Sequence, residues 1–245
     1  FDVISSFSEV LVCFRASRAN LLRSFLFSFL RFVLELTFKV FFNLWDLYDW
    51  AQTPFEWQKE LFEYANNIGM TIISTPFDES AVDLLESLSC PFYKVASFEL
   101  TDLPLIKYIA QTKKPMILST GMANEKEIKE AIDVIQEHGS GDFILLHCVS
   151  GYPTPVEEIN LDTITLLKKK FQCEVGLSDH TLGNTSAILS IALGAKVIEK
   201  HFTFDRSEGG PDAEFSMEPH DIKNLCSSVE LAYDALGKCS FEMKK

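Results

Sequence analysis

The sequence predicts an α/β fold, and within that class a (β/α)₈ barrel of the TIM type. Short apolar strands alternate with amphipathic helices, which is typical of a parallel sheet covered by helices. The predicted strands begin at even intervals, at residues 71, 93, 116, 144, 173 and 197. The chain of 245 residues is close to the roughly 250 residues of one such barrel. A doubly wound sheet is the structural alternative, but its GxGxxG dinucleotide fingerprint is absent from the sequence.

The composition excludes several classes of protein. With 47% apolar and 23% charged residues, the chain is neither collagen-like nor wholly disordered. Its net charge of −13 argues against a nucleic-acid binder, because phosphate contacts need a basic surface. None of the six cysteines belongs to a CxxC pair, so neither a zinc ribbon nor a thioredoxin motif is indicated. We expect a reduced protein of the cytoplasm.

The first 43 residues differ in composition from the rest of the chain. They hold ten of the 21 phenylalanines, no proline or glycine, and five basic against three acidic residues. Three interpretations stay open: an artefact such as out-of-frame translation, which we favour; a membrane anchor over residues 19–43; or a replacement for barrel strands 1 and 2. Four charged residues interrupt the anchor: Arg23, Arg31, Glu35 and Lys39. Strand-like runs at Glu9–Phe14 and Phe32–Phe42 are weakly patterned.

Helix signals follow in order from residue 53. Thr53 opens a capping box with proline at the first helical position, and Gly69 ends this first helix. Asp78 is expected to cap a second helix. The clearest later helices are Asn124–His138 and a C-terminal one over about 218–236.

The predicted strands are short and mostly apolar. They are Thr71–Ile73, Tyr93–Ser97, Met116–Thr120, Ile144–Ser150, Cys173–Ser178 and Val197–His201. Only six β/α units are therefore recognisable, and strands 1 and 2 are not. We predict an incomplete barrel domain over residues 44–240.

Polar residues end these strands, where barrels carry their reactive groups. One subset combines an ammonium with hydroxyls, which together suit a phosphate group. Its members are Thr75, Lys94, Ser97, Ser119 and Ser178. Two alternatives stay open: the hydroxyls cap the following helices, or Lys94 pairs with Glu99 or another carboxylate.

Two histidines form a second subset. His180 and His201 close consecutive strands, so their imidazoles can face one cavity. Two imidazoles without a third histidine or cysteine suit an open metal site that water or substrate completes. Asp179 and Glu199 are candidate partners of these ligands. Hydrogen-bonded structural histidines are the alternative.

Two residues of the Ile144–Ser150 strand are interpreted as structural. We expect His147 to lie inside the barrel, between its neighbours in the strand. Cys148 has no evident base at strand-end spacing, so we assign it to packing.

Seven motifs in order carry a resemblance to a known family. They are STPFD (Ser74–Asp78), YKVASFE (Tyr93–Glu99), ILSTGM (Ile117–Met122), LLHCVSGYPTP (Leu145–Pro155), GLSDHTLG (Gly176–Gly183), IEKHFT (Ile198–Thr203) and GGPD (Gly209–Asp212). Over about residues 44–240 the chain resembles the sialic acid synthase (nonulosonic acid synthase) family. The runs Leu47–Phe62 and Gly209–Pro219 look most like its pseudaminic acid synthase branch.

The resemblance implies a reaction. Phosphoenolpyruvate would condense with a 2,4-diacetamido-2,4,6-trideoxy hexose to give a nine-carbon 2-keto sugar acid and phosphate. N-acetylneuraminate or legionaminic acid synthase is the alternative within the family. A divalent metal is implied on the two histidines, with Mn²⁺ expected and Mg²⁺ or Co²⁺ as alternatives. The intact family is homodimeric, and neither a nucleic-acid nor a membrane partner is expected.

The resemblance also implies roles for further residues. Tyr152 and Asp212 would hold the sugar, and Ser150 occupies a sugar-facing position. Glu99 matches an acidic family position and would orient Ser97 or a water molecule. With Lys94, His180 and His201, Glu99 makes up the expected catalytic set.

The sequence departs from the family at both ends. The glutamate of its AEIG(x)NHNG-type first strand and the lysine of its KFQ-type second strand are not found in residues 1–43. The C-terminal antifreeze-like domain, whose arginine reaches the partner subunit, would begin where the sequence stops at Lys245. An inactive fragment that only binds ligand is therefore a further alternative.

Overall fold

The computed structural model describes residues 52–210, 212–239 and 241. Within them the chain forms one sheet of five parallel strands, each paired with the next along the sequence. The strands are β1 (Tyr93–Val95), β2 (Met116–Ser119), β3 (Phe143–Cys148), β4 (Glu174–Asp179) and β5 (Ala195–Lys200). The strand order does not reverse, as it would in a doubly wound sheet, and this order is that of a barrel wall.

Helices precede, separate and follow the strands. They are α1 (Phe55–Asn67), α2 (Glu79–Ser87), α3 (Leu103–Gln111), α4 (Glu125–His138), α5 (Thr163–Phe171), α6 (Thr185–Ala192) and α7 (Pro219–Leu236). Caps explain several starts: Asp78 accepts from the Ala81 amide at 2.8 Å, and Asn124 forms a capping box with Glu127. None of the described helices is long and apolar enough to cross a membrane.

The two faces of the sheet have different surroundings. Alternate residues such as Val95, Leu118 and Leu145 belong to the main core, together with buried residues of the helices. The residues between them, such as Ile117 and Leu146, form a separate small cluster on the opposite face. Side chains alternate along a strand, so this second face is the barrel interior.

The register between β4 and β5 sets the site. A bulge between Val175 and Gly176 shifts the pairing, after which Ser178 lies opposite Glu199 and Asp179 opposite Lys200. Gly176 permits the close approach, since a Cβ there would lie 2.4 Å from the Val197 carbonyl oxygen. The residues that follow each strand, His180 and His201, are thereby brought side by side.

The prediction of an α/β fold with a parallel barrel-type sheet is confirmed, and five of the six strands lie where they were predicted, within a few residues at each end. The sixth is wrong as a strand. Thr71–Ile73 has no assigned secondary structure, because it makes no ladder with a described strand, although Ile73 packs on the interior cluster.

Two smaller predictions are also wrong. Thr53 does not cap the first helix: Pro54 holds that position, and no side chain caps it. His147 does not face the barrel interior. It shares the face of Leu145, and its Nε2 lies 2.5 Å from the Ile159 carbonyl oxygen, in the layer between sheet and helices. The interpretations of residues 1–43 lie outside the described residues.

Candidate active site

Lys94 is the buried cation of the interior face. β1 places it between two residues whose side chains enter the main core, and it is only 3% exposed. Its Nζ donates to the Val95 carbonyl at 3.1 Å and lies 3.5 Å from Oε2 of Glu199. One alternative from the sequence was that Lys94 pairs with a carboxylate, and Glu199 is that partner. These two contacts leave one donor of the ammonium without a partner among the described residues.

Serine hydroxyls surround this lysine on the neighbouring strands. The Ser178 hydroxyl donates to Glu199 Oε1 at 2.7 Å, so lysine and serine share one carboxylate. The hydroxyls of Ser119 and Ser150 are buried, and neither has a hydrogen-bond partner within the described residues. Unpaired buried hydroxyls are costly and call for an explanation, such as a ligand that binds beside them.

Gly121 shows how closely these groups converge. A Cβ at this position would lie 2.7 Å from Ser150 Oγ, 2.9 Å from Cys148 Sγ and 3.1 Å from Ser97 Oγ. The Gly121 amide also donates to Ser97 Oγ at 3.1 Å. Ser150, expected to face the sugar, therefore lies beside Ser97. We call Lys94, Ser97, Ser119, Ser150 and Ser178 the lysine–serine cluster.

Cys148 lies between this cluster and the histidines. Ser97 Oγ donates to its sulfur at 3.5 Å, and the sulfur is 3.9 Å from Nδ1 of His180. Burial raises the pKa of the Cys148 thiol, which keeps it protonated and a poor nucleophile. Cys148 was expected to serve in packing, and it packs between the lysine–serine cluster and the histidines.

His180 and His201 form a pair. Their ring centroids are 5.1 Å apart. His180 Nδ1 lies 3.1 Å from the Val149 carbonyl oxygen; a carbonyl can only accept, so Nδ1 carries the proton and Nε2 keeps the lone pair. Burial lowers the pKa of His180 and so favours the neutral ring that binds metals.

The donor set of this pair suits an open metal site. Among the described residues, no group of three or more histidine, cysteine, aspartate or glutamate side chains could hold a metal ion. The pair supplies two imidazoles, one with its tautomer fixed by Val149. Water or substrate oxygen would have to complete the coordination.

Aromatic side chains surround the histidine pair. The Tyr152 ring is 4.4 Å from the His180 ring, and the Phe215 ring is 5.0 Å from the His201 ring. Asp212 Oδ2 lies 3.5 Å from Nδ1 of His201. Tyr152 is 47% exposed, so it stands at the rim, where a ligand could reach it.

Neither Thr75 nor Glu99 forms a hydrogen bond with the lysine–serine cluster within the described residues. Thr75 lies in a segment without regular structure and makes no hydrogen bond to a described residue. Glu99 has a buried Oε2 without a described partner, and Ser97 bonds to Gly121 and Cys148 instead. Burial raises the pKa of Glu99, which the charge of Lys94 partly opposes.

Asp179 does not support the histidines directly. Its carboxylate lies on the helix-facing side, 3.0 Å from Nζ of Lys200. Glu199 does reach the interior, but its hydrogen-bond partner is Ser178, not an imidazole. The alternation of side chains along β4 and β5 could have indicated both orientations. Phe215 was not singled out, because its loop has no periodic pattern.

Comparisons with known proteins identify the family. A sequence profile described as the NeuB family matches residues 37–240. The chain belongs to the NeuB family.

Two named relatives of this NeuB family chain are synthases. It is 45% identical over 196 residues to the pseudaminic acid synthase of Helicobacter pylori, covering 80% of this chain and 58% of that protein. It is 45% identical over 181 residues to the N,N'-diacetyllegionaminic acid synthase of Campylobacter jejuni, covering 73% and 54%. The NeuB family chain thus spans a little more than half the length of these relatives.

A solved structure resembles the whole fold. The N-acetylneuraminic acid (sialic acid) synthetase of Leptospira borgpetersenii, in complex with citrate, matches with a TM-score of 0.78 at 27% identity. The match covers 99% of this NeuB family chain and 78% of that one. Both comparisons agree with the resemblance to the sialic acid synthase family.

Proposed function

We propose that this protein is a metal-dependent nonulosonic acid synthase, which condenses phosphoenolpyruvate with an N-acetylated amino sugar. One observation carries the proposal: buried Lys94 and the hydroxyls of Ser119 and Ser150, which have no partner among the described residues, lie on the same interior face of the sheet as the His180–His201 pair. Cys148 joins the two groups, 3.5 Å from Ser97 and 3.9 Å from His180. An anion and an electrophile bound there would be neighbours.

The lysine–serine cluster would hold the phosphate of phosphoenolpyruvate. Lys94 supplies a point charge, and the serine hydroxyls supply oriented donors. Ser119 and Ser150 would gain the hydrogen-bond partners that they lack among the described residues. The same donors stabilise the phosphate as charge develops on it when it leaves. Thr75 is included in this proposal because it belongs to the family motif STPFD, and not because of a contact with the lysine–serine cluster.

The histidine pair would hold a divalent cation, with Mn²⁺ as the proposed ion. When bound, this ion supplies Lewis-acid polarisation of the sugar aldehyde. Val149 keeps the proton on Nδ1 of His180, so that Nε2 is the donor. Tyr152 and Asp212, which adjoin the two rings, would hold the sugar.

The reaction balances without a redox partner. The enol carbon C3 of phosphoenolpyruvate forms a bond to the aldehyde carbon, and the aldehyde oxygen takes a proton. Water adds at C2, its oxygen becomes the 2-keto oxygen, and the C–O bond to phosphate breaks. Glu99 lies within electrostatic reach of Lys94 and has one buried oxygen without a partner among the described residues, and we propose that it orients this water.

The sugar is proposed to be a 2,4-diacetamido-2,4,6-trideoxy-altrose, the substrate of the pseudaminic branch. The pseudaminic and legionaminic relatives are equally similar, at 45% identity. Legionaminic or N-acetylneuraminic acid synthesis is therefore the second candidate. We also propose the homodimer of the intact family, which light scattering of the purified protein would test.

The decisive experiment follows phosphate release. Purified protein is incubated with Mn²⁺, phosphoenolpyruvate and one acetamido sugar at a time: the precursor of pseudaminic, of legionaminic or of N-acetylneuraminic acid. The product is identified by mass spectrometry. We expect release that requires sugar and metal, stops with a chelator and is fastest with the altrose derivative. If none of the sugars gives phosphate release above background, the proposed synthase activity is refuted. Calorimetric binding of phosphoenolpyruvate without turnover would then favour an inactive ligand binder.

A further inference from the structure

A buried ion pair lies on the sheet face opposite the histidines. Asp179 and Lys200 are register partners on β4 and β5, exposed by only 1% and 3%. The Lys200 ammonium donates to Asp179 Oδ2 at 3.0 Å, to the Thr181 carbonyl at 2.8 Å and to the Gly183 carbonyl at 3.0 Å. All three of its donors are therefore used within the protein.

The second oxygen of Asp179 is equally occupied. Oδ1 accepts from the Thr181 amide at 2.9 Å and from the Thr181 hydroxyl at 2.7 Å. The pair thus ties residues 181–183, which follow His180, to the residue before His201. No substrate can reach it through this packing.

Stability alone does not explain such a pair. Replacing a buried ion pair by well-packed apolar residues is often neutral or stabilising, so a gain in stability is not a sufficient reason for the pair. Each charged residue directly precedes one of the two histidines. Since neighbouring side chains on a strand point to opposite faces, fixing Asp179 against Lys200 fixes where His180 and His201 emerge.

We propose that Asp179 and Lys200 are positioning residues that set the spacing of the two imidazoles and so the affinity of the pair for a divalent cation. The proposal rests on the proposed function for the identity of the ion. It assigns a role to two charged residues that touch neither substrate nor metal.

The test uses a double variant, Asp179→Asn with Lys200→Met. It removes both charges together, so that no buried charge is left alone, and the asparagine oxygen still accepts from Thr181. Tyr93→Phe is the matched control, because it removes another buried contact of the sheet, the hydroxyl that donates to Glu86 at 2.6 Å. His180→Ala reports whether the pair binds the ion at all.

Mn²⁺ affinity is measured by electron paramagnetic resonance, and folding by thermal unfolding. We expect the double variant to fold and to bind Mn²⁺ at least about ten-fold more weakly, as is typical when a group that orients a ligand is lost. Tyr93→Phe should keep its affinity. A double variant with unchanged affinity, while His180→Ala loses it, would overturn the inference and leave the proposed metal site intact.

Hydrogen exchange of residues 180–183 separates the remaining cases. One such case is an unmodified protein that does not bind Mn²⁺. The other is a double variant that does not fold, so that only the single variant Asp179→Asn can be measured. In both cases the rate of hydrogen exchange tests whether the ion pair holds residues 180–183 in place. Faster exchange than in the unmodified protein supports the part of the inference that concerns the geometry of residues 180–183, whereas an unmodified protein that does not bind Mn²⁺ refutes the part that concerns metal affinity. Unchanged exchange contradicts the part that concerns geometry.

Discussion

The imidazole rings of His180 and His201 lie 5.1 Å apart, at the ends of two neighbouring strands. This relationship depends on the bulge near Gly176, which aligns the ends of β4 and β5. The lysine–serine cluster lies on the same interior face, connected to the rings through Cys148. The proposed cation site and the proposed anion site are thereby adjacent, as a condensation between two substrates requires.

Lys94→Met should abolish most of the affinity for phosphoenolpyruvate. The substitution keeps much of the side-chain volume but removes the buried ammonium, 3.5 Å from Glu199. We expect a loss of about 10- to 100-fold, the range of a charge-assisted contact, in calorimetric titrations. Lys126→Met is the control, since the Lys126 side chain is 83% exposed and, among the described residues, pairs only with Glu130. Equal affinity in both variants would argue against the lysine–serine cluster as the phosphate site.

Gly121→Ala should weaken phosphoenolpyruvate binding without removing any polar group. Its methyl would lie 2.7 Å from Ser150 Oγ and 2.9 Å from Cys148 Sγ, so these side chains must move. We expect KM for phosphoenolpyruvate to rise about ten-fold and the unfolding free energy to fall by about 1–3 kcal/mol, as for overpacking.

Gly139→Ala is the control for steric crowding outside the candidate site. Its methyl would meet the Ile135 carbonyl oxygen, also at 2.7 Å, but at the end of α4. It should destabilise the protein and leave KM unchanged. If both variants raise KM to the same extent, the effect of Gly121→Ala is one of general stability.

Glu99→Gln should stabilise the fold at neutral pH while it slows turnover. Burial raises the pKa of Glu99 in the folded protein, so ionisation costs more there than in the unfolded chain. The resulting penalty is absent well below the ordinary glutamate pKa of about 4.3 and grows as pH rises through the folded value. Removing the charge should therefore raise the free energy of unfolding at pH 7 and leave it unchanged below about pH 4. Urea unfolding at both pH values checks the sign; a variant destabilised at pH 7 would contradict it.

Tyr152→Ala should affect the sugar and not phosphoenolpyruvate. The ring packs 4.4 Å from His180 at the rim and is 47% exposed. Because a half-exposed ring contributes little to the core, we expect a small change in thermal stability and a rise of about ten-fold in KM for the sugar. Steady-state kinetics with each substrate varied in turn would test this. A rise confined to phosphoenolpyruvate would contradict it.

The fold was predictable because each strand and helix carries its own local signal. β2 to β5 are apolar runs at even spacing, and Asp78 and Asn124 are helix caps that act through adjacent residues. The absence of a strand at Thr71–Ile73 was not predictable. A strand also requires a pairing partner, and the local sequence does not encode that contact. Pro54 displaced the cap expected at Thr53, because the helix begins one residue later than the motif suggested.

The residues of the site were predictable, but their connections were less so. Polar strand ends gave Lys94, His180 and His201, because barrels expose these positions. The sequence did not reveal that Glu199 bridges Ser178 and Lys94, or that Asp179 turns away to Lys200. Those contacts depend on the register of β4 against β5, which a single bulged residue sets.

The most direct test of the account asks whether cation and anion occupy one site. The ³¹P resonance of phosphoenolpyruvate is recorded with the protein while Mn²⁺ is added, in the unmodified protein and in His180→Ala. Paramagnetic Mn²⁺ on the histidine pair should strongly broaden the signal of phosphoenolpyruvate held by Lys94, and His180→Ala should largely remove this effect. Phosphoenolpyruvate that binds while its phosphorus signal stays sharp at saturating Mn²⁺ would contradict the account.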